Sequence, residues 1–184
     1  MSRFPVEEAS IRIIERDGAE SRAEVTPLAA AVYPPEVLAI IVWRNVVSAR
    51  ATRRIMVFDD DDRLVAATGM IFRNGLLNGV PVAIGGIGGV MTAPDRRRQG
   101  FGRAAVDAAV TAFERAGSPE FGLLFCEAKN IGFYERLGWL VFDGKVLAEQ
   151  PPSIAVYDIM TTMVRALGAA APRAGVIDLC GLPW

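Results

Sequence analysis

Residues 85–117, GGIGGVMTAPDRRRQGFGRAAVDAAVTAFERAG, constrain this chain more than any other stretch. They read as a glycine-rich apolar strand, a basic turn and a helix. Glycines at 85, 86, 88 and 89 strip side chains from the strand, which predicts a bulge or a close approach of a ligand backbone. Arg96, Arg97, Arg98 and Gln99 make the turn, and the helix opens at Gly100, Phe101 and Gly102. A helix start carries unpartnered N–H groups and the positive end of the dipole, so it receives anions. Glycines at 100 and 102 put no Cβ in the way. Between Val90 and Arg103 four arginines face one acid, Asp95, in a chain of formal net charge −1. That local excess predicts a polyanionic ligand.

Other features narrow the chemistry. The chain has no histidine, which removes Ser–His–Asp and Cys–His machinery, histidine metal sites and the commonest general base. Two cysteines, Cys126 and Cys180, make no disulfide framework, so a reduced, cytoplasmic protein is expected. With no histidine to activate it, Cys126 reads as an inert thiol. Asp59, Asp60, Asp61 and Asp62 lie on a tight turn whose positions point apart, so no metal is expected there. The basic residues are clustered rather than spread over a face, which argues against nucleic acid. Residues 75–94 carry no charge, but six glycines and two prolines break the run, so no membrane span is expected. Its 184 residues suit one domain, and the apolar-rich composition makes a homodimer plausible.

Along the chain, 10–15 alternates as a first strand, 20–32 and 36–47 have helical spacing, and 54–58 with 64–72 form a hairpin. A turn over 74–79 leads into a strand over 80–92, and the helix from Gly100 closes near Ala116 with Gly117 and Pro119 behind it. Then follow an apolar strand over 121–126, a short helix over 130–137, and strands over 140–142, 154–164 and 175–179. Trp43 reads as packing.

Two nucleotide-binding patterns fit the central stretch. Gly100, Gly102 and Ala105 satisfy the G-x-G-x-x-A dinucleotide fingerprint, but that motif belongs directly after a first strand, and here it falls past mid-chain. Arg97-x-x-Gly100-x-Gly102 instead resembles the acyl-CoA motif of the GNAT acetyltransferases. Downstream, Asn130, Tyr134, Gly138 and Trp139 resemble that family's N-x-x-x-Y-x-x-x-G-[FW] segment. The resemblance covers roughly residues 53–142.

The resemblance implies an α/β (α+β) fold, with a mixed, mostly antiparallel sheet of about six to seven strands, flanked by helices and splayed at its centre. It implies acetyl-CoA as cosubstrate, with its arm along Val90, Met91 and Thr92. The pyrophosphate would lie on Arg97, Arg98, Gln99, Gly100, Phe101, Gly102 and Arg103, with Asn130 and Phe133 beside the arm. Tyr134 would be the general acid. Many relatives carry a glutamate where this chain has Gly88, which leaves the base open, with Glu127 as the substitute. The ending at Trp184 resembles the aminoglycoside 2′-N-acetyltransferase branch, which would set Asp178 and the Trp184 carboxylate against a small cationic amine such as a polyamine. A peptide acceptor, requiring an acidic groove, and a non-catalytic CoA-binding regulatory domain are the alternatives.

Overall fold

A computed structural model describes residues 11–184. The chain runs β1 (Arg12–Asp17), α1 (Arg22–Val32), α2 (Pro35–Ile40), β2 (Arg53–Phe58), β3 (Leu64–Leu77) and β4 (Val80–Thr92). It continues through α3 (Phe101–Ala116), β5 (Phe121–Cys126), α4 (Ile131–Glu135), β6 (Leu140–Val141), β7 (Asp143–Gln150), β8 (Ser153–Val156), β9 (Thr161–Ala166) and β10 (Ala174–Asp178). The strands form one sheet in the order β6-β9-β5-β4-β3-β10-β7-β8, with β2 also on β3 and β1 on β2. Only the β4–β5 and β7–β10 pairings are parallel. This is the mixed, helix-flanked α+β sheet that the motifs imply.

The long hairpin β3–β4 is its axis. Residues 64–70 of β3 pair with β2, while Leu76 and Leu77 pair with β10. One strand thus serves two neighbours on the same edge. The turn between β3 and β4 is only Asn78 and Gly79, both at positive φ, so the strands run further than the 74–79 turn predicted.

Helix α3 connects the parallel strands β4 and β5 and buries Ala105, Val106, Ala109, Val110 and Phe113. Gly117 at φ 67° ends it, its N–H donating to the carbonyls of Phe113 and Glu114. Such a left-handed stop is open to glycine with no Cβ penalty. One apolar cluster fills the α1/α3 side of the sheet; a second, holding Phe121, Leu123, Phe125, Phe142 and Trp184, fills the other.

Three predicted elements differ. The second helix stops at Ile40 rather than 47: Ile41 turns extended at ψ 137°, and from there Ile41 and Val46 are tucked in while Val42 and Val47 are exposed. The expected strand over 154–164 is two strands, β8 and β9, separated by a bend at 157–160. Strand β7, DGKVLAEQ, is hidden in the sequence by its charges; only Val146 and Ala148 point inward. The sheet therefore has ten strands rather than six or seven. No helix among the described residues is long and apolar enough to cross a membrane.

Candidate active site

The site begins where two strands separate. β4 and β5 are paired from Ile84–Phe121 to Ile87–Leu124, and no further. On the other flank of β4, Gly69 faces Gly88 while Ala67 faces Met91, so Gly89 and Val90 together oppose Thr68. Gly89 sits at φ 58°. This is the predicted bulge, and it frees the main chain of residues 89–90 from both neighbours. The Thr68 hydroxyl pins its start by donating to the Gly88 carbonyl at 3.2 Å.

The other glycines of the run make room for aromatic rings on opposite faces. A Cβ on Gly85 would meet the Phe113 ring of α3 at 3.1 Å. On the opposite face, a Cβ on Gly86 would collide with the Trp184 indole, and one on Gly88 would meet the main-chain carbon of Trp184 at 3.1 Å. Trp184 is 8% exposed, donates Nε1–H to the Leu123 carbonyl at 3.3 Å and lies 5.8 Å from the Phe125 ring. Arg73 holds the segment there: its guanidinium donates to the Leu179 and Leu182 carbonyls at 3.1 and 3.3 Å. A side chain at position 88 fits only if Trp184 yields by a few tenths of an ångström, a physical reason for glycine where the family pattern has glutamate.

Beyond Ile87 the parted strands open a cavity of about 580 Å³. Val90, Glu127, Asn130, Tyr134 and Trp184 all line it, together with the Gly88–Gly89 backbone. Tyr134 is 7% exposed, held edge-on between Phe133 and Trp139 at ring distances of 4.9 and 6.4 Å. Its hydroxyl bonds to no described residue. Burial, and then the proximity of Cys126 and Tyr33, push the Tyr134 phenol above its ordinary value, so it keeps its proton throughout the working pH range. Burial likewise pushes the Cys126 thiol up to about 11, with the Glu127 charge as the second cause, which keeps the thiol protonated. Glu127 follows the end of β5 and pairs with Lys129 at 2.8 Å.

The anion cradle lies at the start of α3. Ala104 N–H donates to the Gly100 carbonyl at 2.9 Å, leaving the N–H groups of Phe101, Gly102 and Arg103 without partners among the described residues. The two glycines have separate duties. Gly100 takes φ 91° with open space around it, whereas a Cβ on Gly102 would meet Thr92 Oγ1 at 2.8 Å. Gly102 thus lets the helix close on β4. Arg97 and Arg98 are without an ion pair among the described residues, and Arg98 is exposed. Arg96 is diverted: it pairs with Asp59 at 2.9 Å, and Asp61 stands at 3.7 Å. The aspartate turn is therefore a tether for the basic turn, with Asp59 buried rather than solvated.

Several predicted residues stand elsewhere. Arg103 pairs along α3 with Asp107 at 3.2 Å, and the Gln99 amide folds back on the Asp95 carbonyl. Met91 is buried in the core under α3, so only its main chain faces the splay. Phe133 packs on Tyr134 and near Gly102. Asp178 is absent from the cavity lining: its Oδ1 accepts the Cys180 N–H at 2.8 Å, closing a turn. Trp184 does line the cavity, its indole packed on Gly86 and its main-chain carbon beside Gly88. The sequence does not single out Tyr33, Tyr157 or the arginines at 22, 50 and 54, all of which line it as well. The break Tyr33-Pro34-Pro35 marks only a helix end; nothing local marks the others.

The described geometry agrees with a family match. The model of the acetyltransferase (GNAT) domain matches residues 16–142, and the chain belongs to the GNAT acetyltransferases. It is accordingly an N-acetyltransferase that uses acetyl-CoA. A search of curated proteins finds no match. Among solved structures, a GNAT family N-acetyltransferase from Escherichia coli in complex with CoA superposes with a TM-score of 0.59 at 16% identity, over 97% of this chain and 93% of that one. A GNAT family acetyltransferase from Brucella melitensis in complex with acetyl-CoA gives 0.59 at 16%, over 91% and 94%. An N-acetyltransferase from Kribbella flavida gives 0.55 at 17%, over 76% of this chain; the match spans 35% of that protein's length. At these identities the likeness is one of fold. The matches carry the family and not the aminoglycoside branch that the ending at Trp184 resembles.

Proposed function

We propose that the chain transfers acetyl from acetyl-CoA to a primary amine of a small acceptor by direct attack, without an acyl-enzyme stage. The observation that carries this reading is the parting of β4 and β5 at Gly88, with Tyr134 and Glu127 lining the opening. Bound acetyl-CoA supplies an acyl thioester and leaves as a thiol. The free N–H groups at Phe101, Gly102 and Arg103, with Arg97 and Arg98, fit its pyrophosphate. The unpaired main chain at Gly89 and Val90 fits the amides of its arm, and an N–H there would stabilise the carbonyl oxygen as charge develops. Asn130 fits a further polar contact with the arm.

Tyr134 donates to the sulfur. An ordinary phenol near 10 facing a thiol near 8.5 makes full proton transfer uphill by about 2 kcal/mol, and burial raises that further. Tyr134 therefore acts as a standing hydrogen-bond donor, and its proton moves only when another replaces it. The amine's proton has Glu127 as its acceptor, the one acidic side chain on the lining among the described residues. Cys126, held protonated and without a histidine, takes no covalent part.

A polyamine or aminoglycoside would bring several positive charges to a lining whose charged side chains are three arginines and one glutamate. A basic peptide meets the same objection, since that lining offers no acidic groove among the described residues. The test is thiol release with a panel of amines, run on the native protein and Tyr134→Phe. Turnover by the native protein and a large kcat loss in the variant support the assignment; equal turnover removes Tyr134 from the chemistry. Stabilisation by acetyl-CoA without turnover of any amine would favour the regulatory reading instead.

A further inference from the structure

The far wall of the same cavity bears on the acceptor, given the transfer proposed above. Register sets Arg54 of β2 opposite Gly69 of β3, and Gly69 opposite Gly88 of β4. Directly opposed residues share a face of the sheet, so Arg54 stands on the Gly88 face, two strand spacings or about 10 Å away. The one intervening position, Gly69, carries no side chain. Only the Ala51 methyl lies over Gly69, where an added Cβ would meet it at 2.9 Å. Ala51 thus covers Gly69 and Trp184 covers Gly88, and the cavity reaches the guanidinium past both of them.

That guanidinium is half-buried and poorly matched. Its Nε–H donates to the Ser21 hydroxyl at 3.2 Å, and no carboxylate of the described residues lies within ion-pair distance. Its strand neighbour Arg53 pairs with Glu15 at 2.7 Å, and Arg63 with Asp95 at 2.6 Å. Arg22 and Arg50, on the same wall, also have no ion pair among the described residues. Burial lowers the Arg54 pKa, and the charge of Arg22 lowers it further. Positive charge that is half-desolvated and uncompensated is costly unless a ligand supplies the counter-charge. Arginine's planar fork suits a carboxylate in particular.

We infer that the acceptor is an amino carboxylate, its carboxylate held by Arg54 with the exposed Arg22 and Arg50 beside it and its amine directed across the cavity toward Glu127 and Tyr134. The two charges of such a molecule match the two ends of the cavity: anion to the arginine wall, amine to the acid. A polycation matches one end only.

The experiment compares each amino acid with its decarboxylated partner: lysine with cadaverine, ornithine with putrescine, phenylalanine with phenethylamine. Thiol release is followed at saturating acetyl-CoA. The native protein prefers the carboxylate member in kcat/KM by about tenfold or more, the scale of a charged hydrogen bond. Arg54→Gln raises KM for that member by a similar factor and leaves its partner unchanged. Retained thermal stabilisation by CoA certifies the variant's fold. Should Arg54→Gln lose that stabilisation, the double variant Arg22→Gln/Arg50→Gln, at the cavity rim, reads the same preference, and an unchanged preference overturns the inference. Faster turnover of cadaverine and putrescine, with Arg54→Gln neutral, overturns it too while leaving the acetyl-transfer reading intact. No turnover of either member, with CoA still bound, overturns both.

Discussion

The two ends of the cavity are built in opposite ways. The proposed phosphate end comes from consecutive residues, 97–103, and its properties follow from local rules: a left-handed Gly100, unpartnered helix N–H groups and two arginines without ion pairs among the described residues. The proposed acceptor end is assembled from residues 22, 50, 54, 127, 157 and 184, which meet only because the sheet brings them together. A function held in one short segment survives in the sequence as a motif. One spread over six elements leaves no such trace, and it is there that members of one fold family are free to differ.

Four measurements would break or sharpen that contrast. The largest effect should come from the acceptor end: Trp184→Ala removes a buried indole that bridges β4 and β5. It should cost about 3 kcal/mol or more by denaturant unfolding and raise the acceptor KM more than the CoA Kd. Gly88→Glu on its own should also destabilise, and Trp184→Ala combined with it should cost less than the sum, because the glutamate then has room. Additive losses would mean that the two positions do not share space.

Next comes the chemistry between the ends. Tyr134→Phe should lower kcat about 100-fold with acetyl-CoA KM nearly unchanged. The pH profile has a definite sign. Below the acceptor amine's pKa its neutral fraction grows tenfold per unit, so kcat/KM should climb with slope near one. Because burial raises the Tyr134 pKa, the donor is not lost on that rise, and no falling limb should appear below about pH 10. A fall at pH 8 or 9 would assign the donor elsewhere.

At the phosphate end, Arg97→Ala and Arg98→Ala should each weaken CoA binding by about tenfold, because each side chain supplies its own charge-assisted hydrogen bond to the phosphates. Arg103→Ala should have less effect, since that side chain already pairs with Asp107. Calorimetry decides this, and an equal loss at Arg103 would shift the cradle by a turn.

The smallest effect concerns the thiols. Cys180 is exposed and should label at pH 8, while buried Cys126 should not. The folded pKa of Cys126 is raised, so its contribution to stability is full below its ordinary value near 9 and is lost as pH rises toward about 11. Early labelling of Cys126 would show that the α1/α3 core opens readily.

How far the sequence reveals the molecule follows the same division. The strand–turn–helix unit, the bulge at Gly89 and the short helix with Tyr134 are legible because glycine, arginine and helix-cap chemistry act over a few residues. Glycines 86 and 88 can be seen as making room, but not for what; their occupant lies about a hundred residues on. Strand β7 escapes a sequence reading because its outward lysine and glutamate mask a two-residue apolar signal. Asp178 carries a charge that suggests a substrate, and the turn at Cys180 uses it.

The joint between β4 and β5 holds only four residue pairs, against the much longer ladder between β3 and β4. It is the seam along which amide hydrogen exchange should first report opening. Trp184 acts as its rivet, stacked on glycines of one strand and bonded to a carbonyl of the other. The cavity wall and the sheet's mechanical integrity therefore share a side chain: a descendant that evolved a wider crevice would first need a new fastening for its own sheet.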